Sequence, residues 1–125
     1  MIPKFRVWDK EENKMWNVET LYIEDEWVKV NDGSIYGVTK DLIRSYCLMQ
    51  STGLRDKNGV EIYEGDIIKN IYDEIYVVKW FDAAFYLEEK YNGGFDYHEL
   101  HFEDNKEIVG NVFEDKNLLS EEQTN

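Results

Sequence analysis

The sequence predicts a mainly β protein, a β-rich α+β fold, and three observations carry that expectation. Aromatic residues are 15% of the 125, with nine Tyr, six Phe and four Trp supplying much of the bulky apolar surface. Aromatic and β-branched side chains suit a pleated, half-buried surface, and here they alternate with charged residues instead of recurring every three or four positions. Turn signals follow one another closely, at Asn31-Asp32-Gly33, Asn58-Gly59, Glu64-Gly65-Asp66 and Asn92-Gly93-Gly94, which is a spacing for short strands.

Along the chain, Pro3 to Asp9 alternates, with Phe5 and Val7 on one side and Lys4, Arg6 and Trp8 on the other, as a half-buried strand does. Glu11 to Lys14 reads as a turn, and Met15 to Val18 can pair back on the first strand. Leu21 to Ile23 and Trp27 to Val30 form a hairpin across the acidic turn Glu24-Asp25-Glu26, and Asn31-Asp32-Gly33 ends it. Residues 41 to 49 stay open between a helical turn at Asp41 to Arg44 and a strand entering Tyr46 to Met49. Asn58-Gly59 is the strongest short-range turn signal, since both residues tolerate the positive φ of a type I′ turn. Ile67 to Tyr72 and Ile75 to Phe81 read as paired strands, and Ala84 to Leu87 as a third. Residues 88 to 96 read as a loop or hairpin tip, followed by extended pieces at Tyr97 to Phe102 and Lys106 to Phe113. The tail from Glu114 frays beyond a short turn at Lys116 to Leu119. Five short strands at close spacing imply that residues 62 to 113 close into a small barrel, because closure removes exposed edges.

Hydrophobic residues at 42% provide enough apolar surface to offset chain entropy. With only one proline and no low-complexity segment, no flexible linker is expected. Cys47 is the sole cysteine, which excludes an internal disulfide and a multi-cysteine zinc site and fits a reducing, cytoplasmic setting. Met1 to Lys14 is charged throughout, unlike a signal peptide, and no apolar run approaches a membrane span, so no membrane partner is expected. Net charge is −13: residues 1 to 53 carry 7 Lys+Arg against 9 Asp+Glu, residues 54 to 125 carry 7 against 18, and −11 therefore lies in the second part. That sign repels phosphate backbones at long range.

Three blocks together resemble the YopX family of phage and prophage proteins: Pro3-Lys4-Phe5-Arg6-Val7-Trp8-Asp9; Leu48 to Gly59 followed by Ile62-Tyr63-Glu64-Gly65-Asp66-Ile67-Ile68; and Ile108 to Glu114 with Leu118-Leu119. The resemblance implies an SH3-like barrel at the C-terminal end, a mixed N-terminal portion, self-association and a bacterial-host cytoplasm; it implies no activity. The expected division is a β-rich or mixed portion at 1–53, the SH3-like barrel at 54–119 and a frayed tail at 120–125. Physically, Gly53, Asn58, Gly59, Gly65, Asp66 and Gly110 read as structural turn residues, with Asp66 accepting backbone N–H groups at the turn it follows.

Few groups suggest chemistry. His98 and His101 lie three apart and are the only metal candidates, but on a strand they point to opposite sides, so exposed, unliganded histidines are expected and no metal. Cys47 sits in an apolar run that reads as inert core, and no Gly-x-Ser-x-Gly elbow, phosphate loop or dinucleotide fingerprint is present. Paired carboxylates such as Glu24 with Glu26, or Glu103 with Asp104, follow from the abundance of such residues alone. Asp56-Lys57-Asn58-Gly59 lacks the remaining ligands of a calcium loop. Lys4, Arg6, Lys10 and Lys14 interleave with Phe5, Trp8 and Trp16, yet Asp9, Glu11 and Glu12 weaken the local field, so packing is favoured over base stacking. No cofactor and no catalytic residue is expected. The favoured function is a non-enzymatic protein-binding or assembly module that forms a homo-oligomer through aromatic strands of its N-terminal half. The alternatives are an acidic DNA mimic that inhibits a host DNA-binding protein, and a nucleic-acid-binding SH3-like module.

Overall fold

The computed structural model describes residues 3–91, 93–100 and 105–123. Most of the described residues lie in strands and one short helix is present among them, so the fold is mainly β. The chain divides into two units, Met1–Gln50 and Ser51–Asn125.

In the first unit, β1 (Phe5–Asp9) pairs antiparallel with β2 (Lys14–Tyr22), placing Val7 opposite Trp16. The turn between them forms because the Asp9 carboxylate accepts the N–H groups of Glu11 and Glu12. β2 returns as β3 (Trp27–Asn31) with Tyr22 opposite Trp27, and β3 pairs with β4 (Val38–Leu42). On its other side β1 pairs with β5 (Tyr46–Arg55), giving the order β4-β3-β2-β1-β5. The ambiguous stretch 41 to 49 contains both elements: a single 3-10 turn at Ile43–Ser45 separates β4 from β5. The Ile43 N–H donates to the Glu26 carbonyl at 2.8 Å, and its side chain packs on the core of Val7, Trp16, Val28, Val30 and Tyr46. β1 departs from the half-buried pattern, because Val7 and Trp8 are both buried although they point to opposite sides.

β5 continues into the second unit, where Ser51 faces Tyr63 and Arg55 faces Glu61 of β6 (Glu61–Tyr63). β7 (Asp66–Lys69), β8 (Ile75–Phe81), β9 (Ala84–Tyr91), β10 (Gly94–Glu99) and β11 (Glu107–Asn111) form an antiparallel sheet in the order β10-β9-β8-β7-β11. Ile62, Ile68, Tyr76, Val78 and Leu87 make the core. β7 ends before Tyr72 because Asn70 Oδ1 accepts the N–H groups of Tyr72 and Glu74 and folds the chain back. Residues 88 to 96 are strand rather than loop up to the tip, since pairing runs to Tyr91 opposite Gly94. The tail forms α1 (Lys116–Gln123), two turns where a short turn is expected. The closed barrel expected over 62–113 is not formed by strand pairing among the described residues: the sheet has two ends, β10 and β11. Strand count is visible in a sequence, whereas the tilt and shear that closure requires are not.

Candidate functional site

The turn residues divide into two groups. Gly59 and Gly65 sit in turns at φ 80° and 88°, where a side chain would be strained. Asp66 Oδ2 accepts the Tyr63 N–H at 2.7 Å and so closes the second turn. Gly53 and Gly110 belong to strands instead. Gly53, at φ 80°, lies where the β5–β6 register shifts; Gly110 lies at the β11–β7 shift, where a Cβ would press on the Asp115 carboxylate. Each is a bulge position, not a turn. Asn58 lies in its turn, but the type I′ form expected there is corrected: only Gly59 of the pair has positive φ. The Gly59 N–H donates to the Asp56 carbonyl at 3.0 Å, so the turn runs from Asp56 to Gly59 with Asp first and Gly last, as in type I.

Asp56 is the residue missed by the sequence reading. It is only 5% exposed, and its Oδ1 accepts the N–H groups of Asn58 and Val60, both at 2.9 Å, while Oδ2 accepts the Ile108 N–H at 3.0 Å. Burial opposes the charge, but the three N–H groups outweigh it and hold the carboxyl below its ordinary value. The carboxylate is thereby committed to the backbone.

A second unread feature is the loop Asp32–Gly37 in the first unit. Asp32 Oδ1 accepts the Ser34 N–H at 2.9 Å and the Ser34 hydroxyl at 2.6 Å, while Lys14 Nζ donates to Oδ2 at 2.8 Å. Hydrogen bonds from Lys14 and Ser34 keep this carboxyl far below its usual range. The Asp32 N–H donates to the Gly37 carbonyl at 2.9 Å, and Gly37 lies so close to the carboxylate that a Cβ would overlap it. The result is a fixed frame holding Ile35 88% and Tyr36 96% exposed at its tip. The aromatics interleaved with N-terminal lysines behave differently: Trp8 and Trp16 are buried, and the Lys14 ammonium lies 4.0 Å from the Trp16 ring centroid.

In the second unit an open cavity of about 340 Å³ is bounded by Thr52 and Leu54 of β5, Ala84 to Tyr86 of β9, and Glu99 and Leu100. Its lining combines aliphatic and aromatic walls with a hydroxyl and a carboxylate, a composition for binding one side chain or small group. On the sheet face opposite the core, Phe81 stacks on Tyr86 with centroids 4.5 Å apart and meets Tyr97 edge-on at 5.0 Å. The Tyr97 hydroxyl donates to Glu88 Oε2 at 2.9 Å, which raises the phenol above its ordinary pKa.

His98 lies on β10 with an exposed side chain, its Nε2 3.1 Å from Glu89 Oε1. His101, Glu103 and Asp104 lie outside the described residues. Among the described residues, no three His, Cys, Asp or Glu side chains converge as a metal site. No helix among them is long and apolar enough to cross a membrane. Cys47 is half-buried on β5.

These elements define a small, mainly β protein of antiparallel sheets with carboxylate-fixed turns. A sequence model of the YopX family, described as YopX protein, matches residues 4–120, and the chain belongs to that family. Among solved structures it is similar to protein EF1440 from Enterococcus faecalis at 29% identity and a TM-score of 0.57, over 95% of this chain and 99% of that one. It shares its fold with protein YopX from Bacillus subtilis, at 18% identity and a TM-score of 0.55, over 92% of this chain and 96% of that one. No curated protein matches.

Proposed function

We propose that the chain is a non-enzymatic protein-binding module that self-associates through its first unit. The observation that supports this reading is the Ile35-Tyr36 pair, 88% and 96% exposed on a loop whose shape is fixed by Asp32. Ordering a loop and its side chains normally opposes association, and a loop already held in place avoids much of that cost. An apolar residue beside a tyrosine also suits a contact centre, where a large amphipathic ring is buried with its hydroxyl still able to bond. Trp8 and Trp16 are buried, so the contact is assigned to this tip and not to the aromatic strands. Val38, the first residue of the exposed strand β4, extends the apolar surface beside it.

Light scattering tests the assignment. At tens of micromolar the native chain is expected to show a mass above the monomer, and the double variant Ile35→Ser, Tyr36→Ser a monomer with an unchanged circular dichroism spectrum. A native chain that scatters as a monomer at that concentration removes the proposal.

A further inference from the structure

We propose that the second unit accepts an extended, basic segment of a partner protein as an added strand along β10, with one apolar side chain in the adjoining cavity. Among the described residues β10 is paired only with β9, so its far edge lies open to a further strand. Apart from Gly94, every residue of β10 is exposed. The register places Phe95 and Tyr97 on the same face as Phe81 and Tyr86, and Asp96 and His98 on the opposite face with Glu89. At the end of the strand, Glu99 and the following Leu100 form one wall of the cavity of about 340 Å³.

An added strand turns successive side chains to opposite faces. Apolar side chains on one face would lie against the rings of Phe95 and Tyr97, and cationic ones on the other against Asp96 and Glu89. Charge selects the partner: Ser51–Asn125 has 7 Lys+Arg against 18 Asp+Glu, a net of −11, since residues 51 to 53 are uncharged. That field attracts a lysine- or arginine-bearing segment and repels both acidic peptides and nucleic-acid phosphates. Backbone pairing supplies affinity and the alternating side chains supply selectivity, the usual logic of strand addition. This proposal uses different residues from the Ile35-Tyr36 tip and does not rest on self-association.

The test uses fluorescence anisotropy at low salt with a labelled heptapeptide alternating lysine and valine. Two controls accompany it: the same peptide with its central valine replaced by proline, which keeps the charge but interrupts pairing, and an alternating glutamate-valine peptide. Native protein and the Ile35→Ser, Tyr36→Ser variant are both expected to bind the lysine-valine peptide, at least tenfold more tightly than the proline control, with no binding of the acidic one. Asp96→Lys and Tyr97→Thr, each confirmed folded by circular dichroism, are expected to bind at least tenfold more weakly, and bound peptide should slow amide exchange in β10. Equal affinity for the proline control would reduce the effect to undirected charge attraction and overturn the proposal, as would no binding of the lysine-valine peptide.

Discussion

Removing the Asp56 side chain is expected to destabilise the second unit, and the structure supplies the magnitude. Its carboxylate holds the turn through the N–H groups of Asn58 and Val60, and reaches 52 positions along the chain to the N–H of Ile108 on β11. Bonds to a charged acceptor are each worth about 1.5 to 3 kcal/mol. In Asp56→Ala, water can reach the exposed turn amides again, whereas the Ile108 N–H stays in a half-buried strand. Full recovery at the turn would leave one bond's loss and no recovery would leave three, so the expected cost is roughly 3 kcal/mol. Asp56→Asn should be intermediate: its amide oxygen can still serve the turn, but its NH₂ then faces the Ile108 N–H, donor against donor. Urea unfolding followed by circular dichroism measures both. The folded state holds this carboxyl below its ordinary value, so its stabilisation is complete above the unfolded carboxyl pKa near 4 and is lost as pH falls through the lower folded value. The gap between native and Asp56→Ala stabilities should therefore be constant at neutral pH and narrow in acid. A cost under about 1 kcal/mol, or an Asn variant as stable as the native chain, would refute the role given to these three bonds.

Other outcomes follow from the same geometry. Gly37→Ala should disrupt the tip, because its Cβ overlaps the Asp32 carboxylate; amide exchange at residues 33 to 36 should accelerate and the light-scattering mass should fall. Carboxyl NMR titration should find Asp32 well below ordinary aspartates, and Lys14→Met should move it back upward, since Lys14 is the leading cause of the depression. Ile62→Ala, at a fully buried core position, should cost about 2 to 5 kcal/mol in urea unfolding, while Ile23→Ala on an exposed turn should stay within about 0.5 kcal/mol.

Patterns that act over neighbouring residues were readable in the chain. The strand at Phe5 to Asp9, though not its one-sided burial, the hairpin across Glu24-Asp25-Glu26 and the Gly59 and Gly65 turns depend on local sterics and on the strand's period of two. The type of the Asn58-Gly59 turn was not readable, because Asp56 sets it through acceptors for Asn58, Val60 and Ile108. Gly110 appeared to belong to a turn because its neighbour in space, Asp115, has to be placed before the need for a missing Cβ can be seen. The candidate site was less legible still. Ile35 and Tyr36 look like any apolar pair in a sequence, and only the folded loop leaves them uncovered.

By itself, the sequence determined the mainly β class, the family and the concentration of negative charge in the later residues, since composition, period and local turn chemistry need no knowledge of distant contacts. Tertiary structure alone decided that the sheet of β7 to β11 does not close among the described residues, that Trp8 is covered while Tyr36 is bare, and that one aspartate fastens a turn to a strand. Those outcomes depend on strand tilt, on which face meets the core and on hydrogen bonds between residues far apart in the chain, and these are fixed only when the whole unit packs.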